Sequence, residues 1–184
     1  LWQQFANLRL LYAYMWGHPG KKLLFMGGDI GQRSEWQHEG QVEWHLLQNP
    51  EHEGVRRWIA DLNRCHVAEP ALHERDFESA GFEWVIGDDA DHSVVAFLRK
   101  SRDGHSTVLV VCNFTPVLRE RYRIGVPREG RWVEILNSDA SHYGGSGVGN
   151  YGGVQTVPVT AQGRYHSITL ALPPLGALYL KHEG

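Results

Sequence analysis

Four carboxylates, Asp29, Glu35, Glu39 and Glu43, crowd one stretch of the chain that holds no helical or strand period. Two such groups could act as the raised-pKa acid and ionised partner of a glycoside-cleaving pair. A pair drawn from a single loop is disfavoured, because the members of such pairs normally come from the ends of different strands. Ordinary solvation of the loop, or a contribution to a larger cleft, accounts for them better. Trp36 and Trp44 lie in the same stretch, and an exposed indole offers an apolar face for stacking on a sugar ring. Trp44, between Val42 and Leu46-Leu47, reads as core; Trp36, between Glu35 and Gln37, is the one that could face a cleft. His38, His45 and His52 recur every seven residues, but Gly40 and Pro50 interrupt any helix that would align them, and they read as loop histidines rather than metal ligands. Ser34 sits in no nucleophile elbow. Gly147-Val148-Gly149-Asn150-Tyr151-Gly152 fits the G-x-G-x-x-G dinucleotide pattern, yet no helical period follows it. A pyrophosphate site needs a helix N-terminus at that point, so a glycine-rich surface loop is the better reading. No cofactor and no metal are expected.

Composition narrows the partners. Eighteen Lys plus Arg against twenty-one Asp plus Glu give a net charge of −3, which leaves no basic surplus for a phosphate backbone. No apolar run approaches the ~18 residues of a membrane span. Neither nucleic acid nor a bilayer is an expected partner. Two cysteines, Cys65 and Cys112, cannot build a disulfide framework and sit in apolar segments; a reducing, cytoplasmic setting is expected. The chain starts at Leu1 with no signal-like segment, so it reads as processed or as a piece of something longer.

The elements that must position these residues fall into two kinds. Trp2, Phe5, Leu8, Leu11, Tyr12, Met15 and Trp16 recur at helical steps, and Gly17 with His18-Pro19-Gly20 should end that helix. Lys22 to Met26 reads as a buried strand of the parallel type, closed by Gly27-Gly28. Its ladder partners are not apparent nearby, which leaves its backbone hydrogen bonds unassigned. Val55, Trp58, Ile59, Leu62 and Cys65 restore a helical period that should end before Pro70. After Pro70 the pattern changes to short alternating or β-branched segments at 82–86, 93–99, 107–114, 120–124, 131–136, 167–172 and 177–180. About seven strands at that spacing imply an antiparallel sandwich. Val94, Ala96 and Leu98, and likewise Ile168, Leu170 and Leu172, should face its core, with Val108 to Cys112 as a central strand. Asp88-Asp89 and Arg102-Asp103-Gly104 are placed for tight turns. The expected architecture is mostly β: an antiparallel sandwich over 71–184, preceded over 1–70 by a helix, strand, helix remnant of an α/β unit.

Trp2-Gln3-Gln4-Phe5-Ala6-Asn7-Leu8-Arg9, Pro19 to Gly28, Glu35-Trp36 and Glu43-Trp44-His45-Leu46-Leu47 resemble the 1,4-α-glucan (glycogen) branching enzymes of the α-amylase superfamily. Gly81-Phe82-Glu83-Trp84, Cys112 to Pro116, Glu134 to Asp139 and Leu172-Pro173-Pro174-Leu175 resemble that family's C-terminal β domain, in order and spacing. The resemblance implies that 1–70 is the last part of a (β/α)8 catalytic barrel, with 22–26 as its eighth strand. It also implies transfer of a glucan chain from an α-1,4 linkage to a 6-hydroxyl, so that the partner is an α-1,4-glucan. The family's Asp nucleophile, Glu acid/base and Asp stabiliser would all lie upstream of Leu1; no catalytic residue carries over, and the chain by itself should be inactive. Gly27, Gly28, Asp29, Gln32, Glu35 and Trp36 match the loop after the eighth strand by position, which makes Asp29, Gln32, Glu35 and Trp36 the candidate substrate-binding residues. The family usually has Glu-Phe where this chain has Asp29-Ile30.

The alternative is a non-catalytic β module, either structural or glucan-binding, with Tyr143 or Tyr151 as stacking platforms. Trp84, Trp132 and Tyr179, embedded in strands, are expected in the core. The remnant over 1–26 is expected to be disordered or to self-associate through its uncovered faces.

Overall fold

The computed structural model describes residues 1–183. Helix α1 spans Trp2–Gly17 and helix α2 Pro50–Ala68. Eight strands follow: β1 Phe82–Asp89, β2 Val94–Lys100, β3 Thr107–Asn113, β4 Arg119–Val126, β5 Arg131–Asn137, β6 Gly153–Gln155, β7 His166–Leu172 and β8 Gly176–His182. Six of them form one antiparallel sheet in the order β1-β2-β3-β8-β5-β6, while β4 and β7 pair in a second.

Alternation within the strands of the large sheet creates two cores. One set of side chains, including Ala96, Leu98, Leu109, Val111, Leu178 and Leu180, meets Ile124, Val126, Ile168, Leu170 and Leu172 of the small sheet. The opposite set, including Phe97, Val108, Val110, Cys112 and Tyr179, meets Phe5, Leu10, Ala13 and Trp16 of α1 and Val55, Trp58 and Leu62 of α2. The layers are therefore helices, large sheet, small sheet. This explains why every residue of β3 is buried: a strand covered on both faces has no solvent side. Each fully buried large side chain contributes about 2 kcal/mol of hydrophobic stabilisation, so both the helices and the small sheet are anchored to the large sheet by apolar burial.

Two buried arginines fasten α1 to the sheet. Arg9 donates to the Ser138 carbonyl at 2.7 Å. Arg99, fully buried on β2, donates to the Gly17 carbonyl at 2.7 Å and pairs with Asp76 at 2.5 Å. A cation at the C-terminal end of α1 complements the helix dipole. Tyr179 adds a hydroxyl donated to the Ala13 carbonyl at 2.5 Å. The helix expected to be disordered thus has a covered face.

Several expectations need correction. The run 22–26 forms no strand: 22–25 have no regular structure and Met26 enters a turn, with Leu23 and Phe25 exposed, because a strand needs ladder partners and none pairs with it. Gly17 does not form a left-handed cap. It sits in the last turn of α1, where a Cβ would come within 2.9 Å of the Tyr179 hydroxyl and 3.1 Å of Val110. The helix stops because Pro19 drives His18 to the extended region, φ −70° and ψ 145°. Helix α2 begins five residues before its periodic stretch, with Pro50 in the first turn, a position that suits its missing N–H. The first hairpin turns at 90–93 rather than at Asp88-Asp89, which remain in β1. The three-residue β6 is too short to leave a sequence pattern.

Candidate functional site

The stretch between the helices is shaped by two glycines with left-handed backbones. Gly27 (φ 81°) and Gly31 (φ 66°) bracket one 3-10 turn, Gly28–Ile30. The Gly27 carbonyl accepts from Ile30 N at 3.2 Å and from Gln32 N at 2.9 Å. Tyr12 of α1 donates its hydroxyl to the Gly28 carbonyl at 2.5 Å. Burial, reinforced by the negative charge of Asp29, raises the Tyr12 phenol above its ordinary value, so it remains a donor. On the far side His52 Nδ1 meets the Ile30 carbonyl at 2.7 Å, and its ring lies edge-on to Phe5 at 4.9 Å.

The four candidate residues separate within this frame. Asp29 is half-buried within the 3-10 turn. Gln32 folds over Gly27 and accepts from Glu43 N at 3.0 Å, tying the start of the loop to its end. Ser34 donates to Glu43 Oε1 at 3.1 Å and completes that brace. Glu35 and Trp36 lie beyond it on the surface; Trp36 is 48% exposed and stands perpendicular to Phe25, with ring centroids 5.1 Å apart. Trp44, expected in the core, is exposed as well. Beneath the loop, an open cavity of ≈ 410 Å³ is lined by Gln4, Phe5, Leu8, Gly31 and Arg33, and none of the four candidates lines it.

Three histidines seven residues apart do not converge. His38 and His45 are exposed, while His52 is buried in α2. Among the described residues no cluster of His, Cys, Asp or Glu is arranged to hold a metal ion. Both thiols are inert: burial pushes Cys112 up to about 12, and burial together with Glu69 pushes Cys65 up to about 12.

The glycine-rich stretch after β5 is a pinned loop. Asp139, itself buried, accepts from Ser146 N at 2.9 Å, Ser146 Oγ at 2.6 Å and Val148 N at 3.1 Å. Asn137 donates to the Val148 carbonyl at 2.8 Å. Glu134 accepts from Asn150 N and Nδ2, both at 3.0 Å, and Asn150 also exchanges two bonds with the Ala171 backbone. Strand β6, not a helix, follows it, and so the dinucleotide pattern is coincidental.

Aromatic residues also fall differently from expectation. Trp132 and Tyr179 are fully buried, but Trp84 is 47% exposed, since it lies on β1 at the sheet edge and packs against Phe82 (5.0 Å) and Phe97 (5.6 Å) on one side only. Tyr143 is no platform: it is buried against Trp58 at 4.9 Å and donates to Asp61 at 2.6 Å. Tyr151, by contrast, is wholly exposed at 105%. The anchoring roles of buried Arg9 and Arg99 do not follow from the sequence pattern. The signal for Arg9 is its place on the Phe5, Tyr12, Trp16 stripe of α1; Arg99 has none beyond ending an apolar strand.

Residues 84–183 match the family model described as alpha amylase, C-terminal all-beta domain. The chain is 64% identical over 182 residues to a 1,4-alpha-glucan branching enzyme of Aromatoleum aromaticum, covering 99% of this chain and 28% of that protein. It is 56% identical over 183 residues to the branching enzyme of Aquifex aeolicus, covering 100% of this chain and 29% of that one. It thus spans well under a third of the length of these relatives. Among solved structures, Ttha1563 of Thermus thermophilus superposes with a TM-score of 0.64 at 20% identity, over 97% of this chain and 31% of that one. An isomaltulose synthase of Erwinia rhapontici superposes with a TM-score of 0.54 at 14% identity, over 96% and 38%. At those identities the likeness is one of fold.

Proposed function

The chain belongs to the family of the alpha-amylase C-terminal all-beta domain, and from that we propose that it is the C-terminal part of a 1,4-α-glucan branching enzyme. The observation that carries this reading is the 64% identity running through 99% of the chain, helices and connecting loop included, to a protein of that name. In this reading the parent cleaves an α-1,4 linkage, holds the glucan on a carboxylate nucleophile and passes it to a 6-hydroxyl, with retention of configuration. Residues 1–70 are the end of the catalytic barrel and 71–184 the β domain that flanks it. The chain supplies no catalytic group. Its part is structural: the β layers hold α1 and α2, and these in turn present the 27–49 loop toward the cleft.

Support for the loop's placement comes from its build. Gln32 and Glu43 brace it, while Glu35 and Trp36 remain free on the surface, as residues lining a cleft formed with other parts of a parent would be. We propose Asp29, Gln32, Glu35 and Trp36 as the contribution to an α-1,4-glucan site, Gln32 by holding the loop and Trp36 by stacking. Leu1, Trp2, Leu11, Leu23 and Phe25 expose apolar surface, which the barrel covers in the parent and through which the separated chain self-associates. A cytoplasmic setting fits two unpaired cysteines.

The test is incubation with amylose followed through iodine-stained absorbance. The longer parent should shift the absorbance maximum, and the 184-residue chain should not. A branching shift by the chain alone, or none by the parent, would contradict the reading.

A further inference from the structure

The pinned glycine-rich loop borders an open groove of ≈ 650 Å³, between the start of β4, the end of β7 and β5. Its walls carry Glu120, Glu134, Asn137 and Asn150, with Tyr151 at its edge and Leu118 across from it. The groove is within the size range of small-molecule sites. Nothing in the proposed role above uses it, and no part of the 27–49 loop reaches it.

Its chemistry selects a class of ligand. Two carboxylates and no Lys or Arg line the groove itself, although Arg119 and Arg121 flank Glu120 in the adjoining hollow, so the groove favours a neutral ligand over an anionic one. Glu134 receives three donors, Asn137 Nδ2 and the two from Asn150; a carboxylate offers about four acceptor positions, which leaves capacity for a hydroxyl. Glu120 is exposed beside it. Tyr151 presents its whole ring to solvent from a left-handed backbone, φ 52°. Its neighbour Asn150 is locked by bonds to Glu134 and Ala171, so the ring's backbone is fixed before anything binds. An apolar ring face beside hydroxyl acceptors on a preset frame matches a neutral sugar, whose C–H face stacks while its hydroxyls donate.

We propose that this groove is a second carbohydrate site, distinct from the 27–49 loop, that holds a neutral α-1,4-linked glucose chain by stacking on Tyr151 and donation to Glu134 and Glu120. The choice of α-1,4-glucan among neutral oligosaccharides rests on the branching-enzyme reading.

The experiment is titration of the isotope-labelled chain with maltoheptaose, and separately with cellohexaose, followed by amide NMR. Maltoheptaose should shift the amides of 147–152 and of Glu134. Tyr151→Ala, a change at a fully exposed side chain, should weaken binding at least about fivefold, and Tyr151→Trp should retain it. Shifts confined to other surfaces, Tyr151→Ala binding as tightly as the unaltered chain, or cellohexaose binding as well as maltoheptaose would each overturn the assignment. Failure is separable from failure of the branching reading. A parent that branches amylose while the groove stays silent refutes only the groove, and a groove that binds maltoheptaose in a parent without branching activity supports only the groove.

Discussion

Two glycine-bearing loops in this molecule are opposite in construction. The 27–49 loop is braced at its base by Gln32, Ser34 and Glu43, and beyond that brace its large side chains, Trp36 and Trp44, lie on the surface. The loop after β5 is tied throughout by Asp139, Glu134, Asn137 and Asn150. Bonds made from within fix the backbone of the second loop, and with it the exposed ring of Tyr151, before anything binds; the first loop is fixed only at its base, so its exposed rings are set by what they meet.

If that contrast is right, substitutions should cost much more in the second loop than in the first. The largest effect is expected for Gly145→Ala. Its Cβ would collide with the Asp139 carbonyl, a backbone group that cannot move without breaking the pinning, so about 3 kcal/mol should be lost in urea unfolding. Asp139→Ala should follow at about 2 kcal/mol, since it removes the acceptor of Ser146 N and Val148 N and the charge facing buried Arg9. In the first loop Gly27→Ala adds the strain of φ 81° and presses on the Gln32 side chain down to its Cβ at 2.8 Å, and should cost about 1.5 kcal/mol. Trp36→Ala should cost under about 0.5 kcal/mol, because its ring is half exposed and packs edge-on against Phe25, itself exposed. A reversed order would break the comparison.

Tyr143 sharpens it with pH. Desolvation favours protonation of Asp61, but hydrogen bonds from Tyr143 and Arg64 outweigh it and hold the carboxyl below its ordinary value. A depressed carboxylate contributes stability above its unfolded pKa, near ~4, and loses it as pH falls through the folded value. Tyr143→Phe should therefore cost about 1 kcal/mol at pH ~7 and progressively less below pH ~4. A pH-independent cost would show that only packing against Trp58 matters there.

Much of this is legible in the sequence, and the failures have physical causes. Seven of the eight strands are visible because short apolar, β-branched runs mark them, as in Val94 to Leu98 and Val108 to Cys112, which are covered on both faces of the large sheet. The eighth, β6, is three residues long and pairs only at the sheet edge. The run 22–26 has the composition of a buried strand, yet pairing depends on partners that local sequence does not encode. Gly17 stands out in the sequence for the wrong reason: a close approach of Tyr179 and Val110, far along the chain, leaves no local trace. Trp84 and Tyr143 exchange their expected places, because alternation tells which side of a strand a ring is on and not whether that side is covered. In the candidate site the loop announces itself by its aperiodicity, while the bracing role of Gln32 becomes visible only with Glu43 beside it.

Hydrogen exchange of the 184-residue chain, followed residue by residue, tests the central contrast most directly. At concentrations low enough to keep the chain monomeric, the amides of Ser146 and Val148, held by Asp139, and those of β3 should exchange slowly, while those of Leu23 to Met26 exchange at nearly unprotected rates. Equal protection of 23–26 in the monomeric chain would contradict it, because that stretch would then have found its partners without a parent protein.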